Sequence, residues 1–435
     1  MSQKQSAFSG IDVPDYGFIQ NCIHCGLCLP ACPTYELTGD ELSSPRGRIR
    51  LMKSVAEGKL AITDEFVREM NFCLDCQACQ TACPAGVHYG ALVEAARVQV
   101  ETSRYGGPIR RLVRKLLLVS LFKSGWRLRF VARVLRTYSA LGLKKFVEHS
   151  ALVKGIFPML SKIQSLSPTI SKDFFSTKVP GVLKPSSKPR YRVAMLSGCV
   201  MDVAFADVDR DTVRVLTENG CEVVNPAHQK CCGSIQAHNG DFETARKLAR
   251  HNIDQFLATG AEFIIANAAG CSAFMKEYGD ILRNDSEYAA KAKVLSSKVK
   301  ELSEFLVEAG FKKPEHEILA RVTYHDPCHL VHTQKISAQP REILRAIPGV
   351  EFVELEESTW CCGSAGTYNI VHYDDSMKLL DRKMENVRKT GASILVTSNP
   401  GCHIQLEYGV QRGQQPVEVV HIATLLRRAY EGGGN

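Results

Sequence analysis

Beyond residue 190 the apolar positions fall into short dense runs separated by longer amphipathic stretches. "YRVAMLSG", "CEVVNP" and "AEFIIANA" are rich in β-branched and aliphatic residues and read as strands. "FETARKLARHNIDQFLATG", between the second and third, places apolar residues at helical spacing and stops at a glycine, so it reads as a helix. The same signals return as "RVTYHD", "EFVELE", "DDSMKLLDRKMENVRKTG" and "ASILVTSN". Strands alternating with helices predict parallel sheets in α/β units. Ahead of residue 104 the period is helical. "GRIRLMKSVAEGKLAITDEFVREMNF" and "GALVEAARVQVE" carry few strand formers and predict a mostly helical module.

The stretch between these regions, with "LLLVSLFKSGWRLRFVARVL" at its centre, has Arg or Lys every few positions. No run reaches the ~18 apolar residues of a membrane-spanning helix. The formal charge of +8 conceals an asymmetry: residues 104–190 hold 19 Lys/Arg against two acids, Glu148 and Asp173, a net of +17 that leaves −9 elsewhere. With Leu, Phe and Trp126 interleaved, this block suits an amphipathic helix lying on anionic lipid, peripheral to an inner membrane. It equally suits a solvated helical linker or a docking face for an acidic partner subunit. No nucleic-acid partner is expected.

At 435 residues the chain has room for two or three domains, and 17 of those residues are cysteine. The opening "MSQKQSAFSG" shows no apolar signal region, so the expected compartment is the reducing cytoplasm. There, cysteines serve metals or catalysis more often than disulfides.

Two runs decide the first module. Cys22, Cys25, Cys28 and Cys32 stand at x2, x2 and x3 spacing with Pro33 behind them; Cys73, Cys76, Cys79 and Cys83, followed by Pro84, repeat the spacing 51 residues on. This is the ferredoxin run in which three thiolates wrap one [4Fe–4S] cube and the fourth ligates the other. One cluster would use Cys22, Cys25, Cys28 and Cys83, the other Cys73, Cys76, Cys79 and Cys32. A pair of zinc sites would leave the x3 spacing and both prolines unexplained. Such clusters pass single electrons.

The cysteines beyond residue 190 form a repeat. Cys199, the pair Cys231–Cys232 and Cys271 return as Cys328, the pair Cys361–Cys362 and Cys402, at offsets of 129, 130 and 131 residues. In parallel α/β folds the loops at strand C-termini converge, so each set of four can meet as metal ligands. A conventional [4Fe–4S] cluster, an altered cluster or zinc could each use them. Cys221, alone at a strand start, reads as a buried small hydrophobe. His325 and His329 flank Cys328 and suit proton handling or structural hydrogen bonding.

The CCG spacing resembles the cysteine-rich domain of heterodisulfide-reductase-type proteins, except that Ala268 and Asn399 stand where a terminal CxxC would have its first cysteine. The order of modules, "CPTYELTGDELSSPRGRIRLMK" and "CLDCQACQTACPAGVHYGALVEAAR" resemble the iron–sulfur subunit family of glycolate oxidase over nearly the whole chain. The C subunit of anaerobic glycerol-3-phosphate dehydrogenase shares the domain order but usually lacks the "GDELxxPRGRI" segment. The expected fold is a multidomain α+β and α/β chain. It comprises a helical two-cluster ferredoxin domain (1–103), a basic helical linker (104–190) and two α/β CCG domains (191–320 and 321–435).

No G-x-G-x-x-G fingerprint or Walker A run is present, so no catalytic residue is assigned. The resemblance implies an oxidoreductase subunit that is inactive alone. Flavin-binding partners of D and E type would oxidise glycolate, and this chain would pass electrons on, with quinone as the expected sink. The alternative is a thiol–disulfide reductase whose active site is the CCG crevice, although the complete CxxC of that chemistry is missing.

Overall fold

The computed structural model describes residues 6–103, 120–144, 164–179 and 181–432, with only isolated positions otherwise between 104 and 163. Residues up to 103 form a helical module: Tyr16–Gln20, Pro33–Thr38, Pro45–Ala56, Asp64–Phe72, Ala78–Thr81 and Tyr89–Thr102. The helical stretch between the cysteine runs is two helices, because the chain breaks at Gly58 and restarts where Thr63 caps the Phe66 amide. Met52, Val55, Phe66, Met70, Leu92 and Val93 close its core.

Two sheets follow. The first runs β1 (Val182–Leu183), β3 (Cys221–Val224), β2 (Tyr191–Leu196), β4 (Phe263–Ala266) and β5 (Val299–Glu301) across its width. The second runs β7 (Val350–Phe352), β6 (Ala320–Tyr324), β8 (Ile394–Thr397) and β9 (Glu418–His421). Every pair is parallel except β1–β3. β2, β3, β4, β6, β7 and β8 are the strands legible as apolar runs, and Phe242–Leu257 and Tyr373–Thr390 are the paired helices. Residues ahead of 191 also join the first sheet: β1 pairs with β3, and Phe175 is fully buried in the same core.

The two repeats share one core. Val193, Met195, Val215 and Ile265 pack in a single cluster with Val322, Tyr324, Val396, Leu425 and Leu426. The C-terminal helix Ile422–Glu431 lies against Ala206–Glu218 of the first repeat, where the Asn219 amide donates to the Tyr430 hydroxyl at 3.1 Å and Tyr430 donates to the Lys312 carbonyl at 2.7 Å. Within the basic segment, Gly125–Ala140 is a helix that buries Ala132 against Phe174 and Val203. The rest of that block, where the amphipathic reading also falls, lies largely outside the described residues. Among the described residues no helix is long and apolar enough to cross a membrane.

Candidate electron-transfer centres

The helical module encloses two hollows. Cys22, Cys25 and Cys28 follow the first helix and meet Cys83 around a cavity, open to solvent, that Gly26, Arg46, Pro84 and Tyr89 also line. Cys32 joins Cys73, Cys76 and Cys79 around a second, smaller cavity, with Pro33, Thr34 and Arg48. Cys79 borders both. His24, Asp75 and Gln77 adopt φ of 56°, 55° and 59°, left-handed turns that curl the motif loops around these spaces. The buried Arg48 guanidinium donates to the Glu69 carbonyl at 2.8 Å and the Thr34 hydroxyl at 3.0 Å and pairs with the buried Glu69 carboxylate at 3.4 Å, which fixes it beside the second cavity.

Burial pushes the Cys28 thiol up to about 11 and holds Cys76 and Cys79 well above the usual thiol value, with neighbouring cysteines adding to the effect. Thiols packed this way stay protonated unless a metal takes the place of their protons. Soft donors around two hollows, with no carboxylate among the lining residues, fit iron–sulfur clusters.

In the first repeat Cys199 caps the short helix after β2, Cys231–Cys232 lies in the loop after β3, and Cys271 occupies the first turn after β4. Their thiols touch in sequence, Cys199 to Cys231, Cys231 to Cys232, Cys232 to Cys271. The second repeat links Cys328, Cys361, Cys362 and Cys402 in the same way. The glycine after each pair serves the neighbouring helix. Gly363 has φ +88°, and a Cβ there would sit 2.6 Å from the Ser376 carbonyl; Gly233 has φ +98° and would press Phe274.

The surroundings of the two sets differ. Asn252 braces the first pair through the Lys230 amide at 2.9 Å and the Cys231 carbonyl at 3.1 Å. In the second repeat the fully buried Lys383 has that role, its ammonium donating to the carbonyls of Glu357 and Ser358. Burial lowers Lys383 to about 8, opposed by Cys362 and Cys361. The Asn399 amide accepts from the Gly270 amide at 3.2 Å and donates to Cys402 at 3.6 Å, tying the repeats together. His325 lies buried beside Cys362 and Cys402, its ring making no well-formed hydrogen bond and facing the Ser358 backbone.

The helical module docks on both repeats. Leu74, Cys76, Cys361 and Tyr368 form one buried cluster with Cys328 and Trp360 against it, so the second cavity adjoins the thiols of the second repeat. Beside it, His238 Nδ1 lies 2.6 Å from Glu94 and 3.3 Å from Asp75, and Arg97 donates to the His238 carbonyl at 2.9 Å. The His329 ring is 5.0 Å from that of His238. Sequence reading singled out none of Asp75, Glu94, His238 or Lys383 as functional. Lys383 alone leaves a trace, a lysine on the buried stripe of Leu380, Met384 and Val387.

A family model described as a 4Fe-4S dicluster domain matches residues 18–87, and one described as a cysteine-rich domain matches 193–276 and 322–407. A third, described as the linker region of the glycolate oxidase iron-sulfur subunit, matches 109–167, the basic block. The chain is 38% identical over 99% of its length to a probable glycolate oxidase iron-sulfur subunit of Bacillus subtilis, covering 97% of that protein. It belongs to the glycolate oxidase iron–sulfur subunit family. The Escherichia coli glycolate oxidase iron-sulfur subunit is 33% identical over 89% of both chains. Lactate utilization protein A of Halalkalibacterium halodurans is 32% identical over 96% of its own length but only 54% of this chain. Members of the family are iron–sulfur subunits of an oxidoreductase, and the CCG repeats and dicluster module are parts of that plan.

Proposed function

We propose that this chain is the electron-transfer subunit of a flavin-dependent glycolate (2-hydroxyacid) dehydrogenase. Flavin-binding D- and E-type partners would feed it electrons, and quinone would receive them. Cys22, Cys25, Cys28 and Cys83 would hold one [4Fe–4S] cluster, and Cys73, Cys76, Cys79 and Cys32 a second. Cys199, Cys231, Cys232 and Cys271, and Cys328, Cys361, Cys362 and Cys402, would hold further iron–sulfur groups. When bound, these groups supply one-electron transfer. The protein's part is to hold them close in a dry setting: Leu74, Trp360, Tyr368 and Leu379 exclude water between the second cavity and the Cys328–Cys361 thiols. That shared cluster carries the proposal, because it gives the dicluster module an apolar path into the second repeat. Arg48 and Lys383 place positive charge beside the sites and favour their reduced forms.

We take 1–103 as the dicluster module, 104–190 as the bridging segment whose final residues pack into the first repeat, and 191–320 and 321–435 as the repeats. The bridging segment would rest on a membrane surface near the quinone pool. The test is anaerobic purification of the chain with its natural partners, followed by iron, sulfide and flavin analysis. Flavin should follow the partners, and the separated chain should carry iron and sulfide without oxidising glycolate. Turnover by the flavin-free chain would overturn the proposal.

A further inference from the structure

The second repeat contains an imidazole that ordinary packing does not explain. His325 follows β6 directly and is 1% exposed. Its backbone amide donates to the Val396 carbonyl at 2.9 Å, while the ring makes no well-formed hydrogen bond, the Ser358 backbone being its one polar main-chain neighbour. A neutral imidazole carries one donor and one acceptor; the Ser358 backbone can serve one nitrogen, and leaving the other unpaired in a dry core forfeits its solvation. One ring nitrogen, Cys362 Sγ and Cys402 Sγ all lie within 4.8 Å of one another. At the matching place in the first repeat, 129 residues earlier, stands Leu196, buried at 2% and unable to ligate.

We propose that His325 is a nitrogen ligand of the iron centre in the second repeat, beside Cys362 and Cys402, whereas the first repeat offers sulfur donors alone. This rests on the reading that the repeat cysteines hold iron–sulfur groups. Neutral imidazole is an established iron ligand, and histidine in place of thiolate raises the reduction potential of an iron–sulfur centre by removing negative charge. The two repeats are then unequal electron acceptors, and the one adjoining the second cavity has the higher potential.

The test uses the full-length chain, purified anaerobically with and without ¹⁵N-histidine, and its His325→Leu, His325→Cys and Cys362→Ser variants. Leucine is what the first repeat carries, and cysteine keeps a ligating atom should leucine impair folding. Pulsed EPR of the reduced wild type should show a directly bonded nitrogen whose coupling responds to the histidine label. That coupling should vanish in both His325 variants, and the potential of the centre should fall in His325→Cys. Iron that drops in Cys362→Ser, with no histidine coupling in the wild type, overturns the inference and leaves the proposed function standing. Coupling that survives His325→Leu overturns it too. Iron content indifferent to Cys362→Ser removes the repeat centre itself, and with it both readings.

Discussion

Cys83 belongs by sequence to the second run and by position to the first cavity, so a single substitution separates local from crossed ligation. Cys83→Ser and Cys25→Ser should abolish the same EPR signal and each cost about half of the module's iron, because each run supplies three ligands to one cube and one to the other. Cys76→Ser should abolish the other signal. Cys83→Ser pairing with Cys76→Ser in this comparison would sink the crossed assignment. The cysteines were legible because their spacing is itself the chemistry. His238, Asp75 and Glu94 were not, since 144 residues separate His238 from Glu94 and no local pattern records that they meet. Asn399 was legible only as a departure from a pattern. Its value lies in an amide that reaches the Gly270 backbone of the other repeat, a contact no spacing rule encodes.

At the scale of elements, β2, β3, β4, β6, β7 and β8 were readable as apolar runs, whereas β1, β5 and β9 were not. β1 is two residues long, β5 reads Val-Lys-Glu and β9 follows closely on a helix and runs into another, so none stood out as a bounded apolar run. The helix Gly125–Ala140 shows where sequence misleads. Arg129 reaches Asp202 and Ser176, and the guanidiniums of Arg133 and Arg136 lie 5.4 and 5.9 Å from the Phe174 ring. These arginines therefore dock the helix on the first repeat, so they are not free to seek lipid. The outward stripe is apolar: Trp126, Phe130 and Val134, at four-residue spacing, are all exposed. The full chain should therefore bind anionic vesicles at low salt, and Trp126→Ser with Phe130→Ser should weaken that binding about tenfold or more, since each ring buries a large apolar surface. No co-sedimentation of the wild type at low salt would leave partner docking as the role of this helix.

Across the whole molecule, the junction between the helical module and the repeats is electrostatic as well as apolar. Burial alone would lower His238; Asp75 and Glu94 outweigh it and hold the imidazolium up to about 10. Arg97, Glu277 and His329 also face this cluster. A pKa raised on folding contributes stability that is complete below the unfolded value, about 6.5, and is lost as pH climbs through the folded one. The melting temperature should therefore fall by a few degrees between about pH 7 and 10, given that about 1 kcal/mol shifts Tm by about 2–4 °C in a domain of about 150–250 residues. His238→Asn should flatten that part of the profile; an unchanged slope in the variant would show the junction is held by other contacts. The interlocked repeats have a further consequence, in the order of biosynthesis. Leu425, Leu426 and Ala429 complete the core that Val213, Val215 and Leu216 begin, yet they lie in the final helix, Ile422–Glu431. A ribosome makes the chain from the N-terminus, so this shared core waits for the helix Ile422–Glu431 before it can close. That face of the first repeat thus stays open until the helix Ile422–Glu431 is made, whereas Cys231 and Cys232, packed among residues 194–299, are enclosed by the repeat's own chain well before then.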